Sequence, residues 1–198
     1  MSKITMEDIQ KLRDRTGAGM MDCKKALVET NGDIEQAIEI LRKKGAALAI
    51  KRAGKETAEG IVHTYIHPGS RVGVLLELNC ETDFVARTPE FEQFAKDLGM
   101  HIAALKPLYL APEDVDSKFL EHEKDILREQ LADSGKPEQV MDKIIEGKLK
   151  KLYSEICLLE QPFVKNDQLT VKEFLQEMVG KTGENLKIKR FARFEIGA

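Results

Sequence analysis

At 198 residues, with 33% charged and 42% hydrophobic side chains, the chain can hold one or two domains with a real core and has the balance of a soluble globular protein. Its formal net charge of -3 gives no bulk attraction to nucleic acid, and no apolar run reaches the roughly 20 residues of a membrane span. Residues 1–8 lack the apolar stretch of a signal peptide, and Cys23, Cys80 and Cys157 match neither a zinc pattern nor a disulfide framework. The expectation is a cytoplasmic protein with buried free thiols.

Residues 1–45 read as three short helices. Thr5 and Asp8 form a capping box closed by Ile4 and Ile9, and Gly17 and Gly19 end the first helix. The second runs from about Met20 to Thr30, stopped by Asn31-Gly32. Asp33 caps the third, which places Ile34, Ala37, Ile38 and Leu41 on one face. Residues 46–58 follow as a linker, part helical and basic at Lys51, Arg52 and Lys55. Residues 61–67 and 71–79 are two strand patterns joined through Pro68-Gly69-Ser70, a turn by composition.

Thr88 and Pro89 open a helix to about Ala104, with Phe91, Phe94, Leu98 and Ile102 at helical spacing. Two longer helices, about 113–133 and 137–158, hinge at Ser134-Gly135-Lys136-Pro137, and their apolar stripes suit an antiparallel pair. Thr170 and Glu173 make another capping box for a short helix ending at Gly180. The chain closes on a third strand, in which Leu186, Ile188, Arg190, Ala192, Phe194 and Ile196 alternate with Lys187, Lys189, Phe191, Arg193 and Glu195. The fold class is α+β: a helical N-terminal module, a small antiparallel three-stranded sheet packed with helices, and a long antiparallel helical hairpin.

No Walker-type loop, dinucleotide fingerprint or nucleophile elbow is present. His63 and His67, four apart in a strand, share a face and with Glu77 or Glu81 could hold a metal, although such histidines are more often ordinary surface groups. The connection from the second strand to the following helix, Asn79-Cys80-Glu81-Thr82-Asp83-Phe84-Val85-Ala86-Arg87, carries acids and an aromatic ring where a plain turn would use Gly, Asn or Pro. Two readings stay open on chemistry alone. One is a local turn with an acid favoured by a helix dipole and Phe84 in the core; the other is a binding tip. Met20 and Met21 read as core or contact, and His101 as a packed histidine beside an apolar stripe.

Three motifs then carry a family resemblance. Thr16-Gly17-Ala18-Gly19-Met20-Met21-Asp22-Cys23-Lys24-Lys25-Ala26-Leu27, Thr82-Asp83-Phe84-Val85 and Arg193-Phe194-Glu195 together resemble translation elongation factor Ts, over nearly the whole chain. The resemblance implies a guanine-nucleotide exchange factor that binds elongation factor Tu with GDP during translation. It implies GDP release by disturbance of the Mg²⁺/phosphate site, without covalent chemistry, catalytic residues, a cofactor or a metal of its own.

It further implies a ubiquitin-associated (UBA-like) bundle over residues 1–45, with the linker at 46–58 and the α+β core, helical hairpin included, over 59–198. Thr82, Asp83, Phe84 and Val85 would press into the partner's nucleotide domain. Leu12, Arg13, Gly17, Gly19 and Met20 would dock its outer surface, and His101 would sit at an interface near its far end. Longer members carry two copies of the sheet-containing core, whereas this chain has strands for one. A homodimer is therefore expected to supply the second copy. The alternative is a non-catalytic adaptor that uses bundle and core as a binding scaffold; a metal hydrolase built on His63 and His67 is remoter.

Overall fold

The computed structural model of the chain describes residues 4–132 and 137–197. They divide into two compact units, the first from the residues up to His63, Leu76–Lys96 and Glu173–Lys189, the second from Thr64–Leu75, Asp97–Lys172 and the residues from Arg190 on. The architecture is mixed helix and sheet, as the α+β pattern predicts.

In the first unit, α1 (Met6–Thr16) opens on the expected capping box. Thr5 Oγ1 accepts the Asp8 N–H at 3.2 Å and Asp8 Oδ2 accepts the Thr5 N–H at 3.0 Å, and these bonds hold the Asp8 carboxyl below its usual range. Gly17 ends the helix with φ 66°, a left-handed geometry that a side chain would strain. α2 (Met20–Glu29) follows, and Asp33 caps α3 by accepting the Gln36 N–H at 3.0 Å. Ile9, Leu12, Cys23, Ala26, Leu27 and Ala37 form a small buried core.

The sequence pattern places residues 46–58 in a part-helical linker, and α3 runs unbroken through Gly45 over Ile34–Arg52. The pattern ends a later helix at Gly180, and α8 (Val171–Thr182) passes through it. Both glycines stay helical for one reason. A Cβ built on Gly180 would lie 3.1 Å from the Gly45 Cα, and one on Gly45 would lie 3.0 Å from the Gln176 carbonyl oxygen. The glycines let two helices touch backbone to backbone; they do not stop them. Nearby, Phe94 and Phe174 meet edge to face with centroids 4.8 Å apart, a favoured aromatic geometry.

β1 (Glu59–Ile66), β2 (Val72–Cys80) and β5 (Lys187–Glu195) form an antiparallel sheet in the order β1-β2-β5. The turn at Pro68-Gly69-Ser70 closes with the His67 N–H on the Val72 carbonyl at 2.9 Å. On β2, Val74, Leu76, Leu78 and Cys80 are buried in alternation. β5 departs from its expected alternation. Ile188 is buried, yet Phe194 is 72% exposed, and Arg193 turns inward to give the Ala103 carbonyl two bonds at 3.2 and 3.1 Å. The face buried by the strand therefore changes along its length.

In the second unit, α5 (Pro89–Leu105) contributes Leu98 and Ile102 to the core. α6 (Ser117–Ala132) and α7 (Glu138–Ile156) pack on each other as the expected pair. At 1.5 Å per residue they are about 24 and 28 Å long. Of the expected hinge, Ser134, Gly135 and Lys136 lie outside the described residues, and Pro137 caps α7. The base of the pair is tied down where Leu108 and Tyr109 both donate to the Ile156 carbonyl and Leu158 donates back to Tyr109. A two-stranded hairpin, β3 (Pro162–Phe163) with β4 (Asn166–Thr170), was not foreseen. Its strands are too short to show a period. Among the described residues no helix is long and apolar enough to cross a membrane.

Candidate functional site

Residues 79–87 leave the end of β2 and make a single helical turn, α4 (Asp83–Ala86), before Thr88 caps α5. Thr82 caps α4: its Oγ1 accepts the Val85 N–H at 3.4 Å and donates to Glu184 Oε1 at 2.6 Å. Glu184 Oε2 accepts the Glu81 and Thr82 backbone N–H groups at 3.1 and 3.0 Å. In return, Glu81 Oε1 accepts the Asn185 N–H at 2.6 Å while its other oxygen lies 3.5 Å from Arg52. Thr88 Oγ1 donates to the Val85 carbonyl at 2.8 Å. The backbone of the tip is thus fixed on both sides of α4.

On this braced turn, Val85 and Ala86 are buried and anchor it, whereas Phe84 is 79% exposed. Of the two readings of Phe84, a core ring is excluded. A phenylalanine so exposed forfeits the roughly 1.5–3 kcal/mol that burial would give it. Asp83 stands beside it, paired with Arg87 at 2.9 Å in an exposed i,i+4 pair, worth only about 0.3–0.5 kcal/mol and so readily broken by a competing partner. The Cys80 thiol donates to the Thr82 carbonyl at 3.1 Å. Burial first, and then the Glu184 charge, push that thiol up to about 11, so it is inert at neutral pH.

The N-terminal residues separate by role. Leu12 is fully buried in the three-helix core. Arg13 and Gly17 are exposed, Gly19 caps α2, and Met20 and Met21 lie at the surface. The α1–α2 turn therefore presents a glycine backbone and two methionines, with Leu12 beneath as support.

His101 is fully buried. Gln161 spends its amide N–H groups on the Leu105 and Glu155 carbonyls at 3.2 and 2.7 Å, leaving its Oε1 to accept from His101 Nε2 at 2.9 Å. His101 Nδ1 accepts the Val164 N–H at 3.1 Å, and the ring stacks on Phe163. Both ring nitrogens are satisfied only in the neutral Nε2–H form, and burial pushes the imidazole pKa down. The side chain is committed inside its own chain.

His63 and His67 are separated in character. His63 is half-buried with its pKa lowered by burial, while His67 lies past the end of β1 with Nδ1 3.2 Å from the Tyr65 hydroxyl. Among the described residues no group of three His, Cys, Asp or Glu could hold a metal ion. All three cysteines are free and buried. Sequence reasoning missed Glu184, Asn185 and Gln161. Gly183-Glu184-Asn185 reads as an ordinary turn, and nothing local announces a partner about a hundred residues away.

The chain matches the family described as Elongation factor TS over residues 3–198. It is 57% identical over 194 residues to Elongation factor Ts of Carboxydothermus hydrogenoformans, covering 98% of this chain and 89% of that one. Against Elongation factor Ts of Moorella thermoacetica the identity is 56% over 194 residues, with 98% and 96% of the two chains covered. Against that of Fervidobacterium nodosum it is 54% over 195 residues, with 98% and 99% covered. With the match running from end to end, the chain belongs to the Elongation factor Ts family.

Proposed function

We propose that this protein is a cytoplasmic guanine-nucleotide exchange factor that binds elongation factor Tu with GDP and accelerates GDP release during translation elongation. The observation that carries the reading is the exposure of Phe84 on a turn whose backbone is otherwise fixed. Backbone amides and Mg²⁺, the largest local charge in such a pocket, hold a guanine nucleotide by its phosphates. A rigid apolar ring entering beside that pocket displaces packed side chains, and packed interiors respond by switching between discrete arrangements. Asp83, released from Arg87, supplies a carboxylate that competes for groups around the metal. Thr82 and Val85 keep the ring aimed.

Arg13, Gly17, Gly19 and Met20 dock a second surface of the partner, with Leu12 packed beneath them in the UBA-like bundle. His101 takes part as the buried post that shapes the turn at Phe163 and Val164. Coupling is reciprocal, so nucleotide and exchange factor weaken each other's binding equally. The process needs no covalent step, cofactor or catalytic acid.

A homodimer completes the reading. Ile66, Leu75, Phe194 and Ile196 are exposed apolar residues of the second unit, and a Cβ built on Gly73 would lie 3.2 Å from Ile66 Cδ1. They occupy the sheet face opposite Val74, and a second copy of that face is the partner of matching chemistry.

Release of fluorescent GDP from purified elongation factor Tu tests the function. The protein is expected to raise the release rate and Phe84→Ala to lower that acceleration by at least about tenfold, as loss of an interface aromatic does. A protein that binds elongation factor Tu without changing the release rate is the adaptor instead.

A further inference from the structure

We infer that residues 181–185, the end of α8 and the turn that carries Glu184, are a positioning element that sets the spacing between the glycine turn of the N-terminal helices and the Phe84 tip. The inference rests on the exchange-factor reading and adds to it a residue group that the sequence motifs leave out. Both contacts belong to the first unit, and this one short segment touches each. At one end the aliphatic stem of Lys181 crosses the α1–α2 turn: a Cβ built on Gly17 would lie 2.9 Å from Lys181 Cε and 3.1 Å from its Cδ. At the other end Glu184 takes three hydrogen bonds from Glu81 and Thr82, the residues from which α4 departs.

Two successive backbone N–H groups, those of Glu81 and Thr82, converge on one oxygen of the Glu184 carboxylate. Charge-assisted bonds of this kind are about twice as strong as neutral ones. They fix the peptide planes of Glu81 and Thr82 and, through the Thr82 hydroxyl, the cap of α4. The clamp also runs in reverse, because Glu81 accepts the Asn185 N–H at 2.6 Å. Asn185 is buried, and its Nδ2 donates to the Lys55 carbonyl at 2.9 Å. Arg52, the last residue of α3, joins the same cluster through Glu81. The end of α3 and the tip are thereby bonded to one segment, and the Lys181 stem lies against the glycine turn.

Such a brace matters for rate more than for docking. Once one contact of a rigid body is made, the second is intramolecular and its efficiency depends on placement. Misplacement of a reacting group by about 1 Å can cost a hundredfold in rate. Glu184→Ala is therefore expected to lower the saturating rate of GDP release from elongation factor Tu by about ten- to a hundredfold. The half-saturating factor concentration should shift by less than about threefold, since the N-terminal contact is intact.

Glu184→Gln keeps a carbonyl for the backbone N–H groups but loses the acceptor of the Thr82 hydroxyl, so it should fall between the two. Amide hydrogen exchange at Glu81 and Thr82 should quicken in the alanine variant. The assay is run as release rate against factor concentration, with the parent protein and Phe84→Ala beside the variants. A parent that does not accelerate release defeats the exchange-factor reading and this inference with it. An active parent with Glu184→Ala at the parental saturating rate overturns this inference alone. If the alanine variant does not fold, Glu184→Gln decides: a saturating rate about threefold down supports the brace, and an unchanged rate overturns it.

Discussion

Single side chains divide here into those that the chain satisfies internally and those that it leaves for something else. Phe84 belongs to the second kind, and its stability signature follows. With 79% of its surface already in water, truncation removes little buried area, so Phe84→Ala should change unfolding free energy by less than about 0.5 kcal/mol. Leu12→Ala, in contrast, empties a fully buried site and should cost about 2–5 kcal/mol. Chemical denaturation of both variants separates the roles, and a large loss from Phe84→Ala would mean that the ring packs in solution.

His101 belongs to the first kind, and its signature is a pH dependence. Burial lowers its pKa in the folded state, so below the ordinary value near 6.5 the unfolded chain takes up a proton that the folded chain refuses. Stability is fully present above pH about 6.5 and declines as pH falls below it, by up to about 1.4 kcal/mol per pH unit for one such group. His63, less enclosed, acts in the same direction with solvent screening. Glu35 and Glu39, exposed, and Asp8 and Glu195, half-buried, all have lowered carboxyl values and add losses only in the more acidic carboxylate range. Thermal melts from pH 7.5 to 5.5 should therefore slope downward, and His101→Gln should flatten that slope. An equal slope in the variant would place the proton elsewhere.

At the scale of elements, glycine inside a helix is a test of what the helix touches. Gly45 of α3 and Gly147 of α7 are both helical, but a Cβ on Gly45 would press on the Gln176 carbonyl at 3.0 Å while one on Gly147 meets nothing within 4 Å. Gly147→Ala should stabilise by about 0.5–1 kcal/mol through helix propensity alone. Gly45→Ala should lose that gain and up to about 2 kcal/mol more, because overpacking against backbone costs about 1–3 kcal/mol. Denaturant midpoints measure both, and equal stabilisation would mean that the helices separate easily.

Gly45 and Gly180 show what sequence could and could not tell. Caps and turns were legible, since Thr5, Asp33 and Thr88 act within three residues of themselves. The ends of α3 and α8 were not, because a glycine chosen for a tertiary crossing looks locally like a stop signal. The tip was legible as odd cargo, and the exposure of its ring was not, since that depends on which neighbour buries Val85 instead. The clamp from Glu184 was invisible for the same reason: both partners are ordinary until the fold brings them together.

For the whole molecule, the sheet poses the remaining question of what covers its second face. The sequence showed alternating residues in the last strand, but not that Arg193 and Glu195 would face inward and Phe194 and Ile196 outward. Arg193 is drawn in by the Ala103 carbonyl, and Glu195 by Lys106 at 2.9 Å and Arg193 at 2.8 Å. Those polar bonds outweigh the burial that the alternation alone would have assigned to Phe194. The result is an aromatic ring 72% exposed in a unit that also exposes Ile66, Leu75 and Ile196, apolar surface that costs solubility unless something covers it. On the proposed homodimer a second copy would cover it without new chemistry, because a two-fold axis would set the same apolar group against itself. Phe194→Glu would then place two carboxylates in one apolar contact, and each variant chain should keep its fold because the position is exposed. Sedimentation velocity at micromolar concentration should show a dimer for the parent and a monomer for the variant, with the dissociation constant raised by at least about thirtyfold, as for loss of an aromatic anchor. A parent that sediments as a monomer would instead assign this face to a different protein.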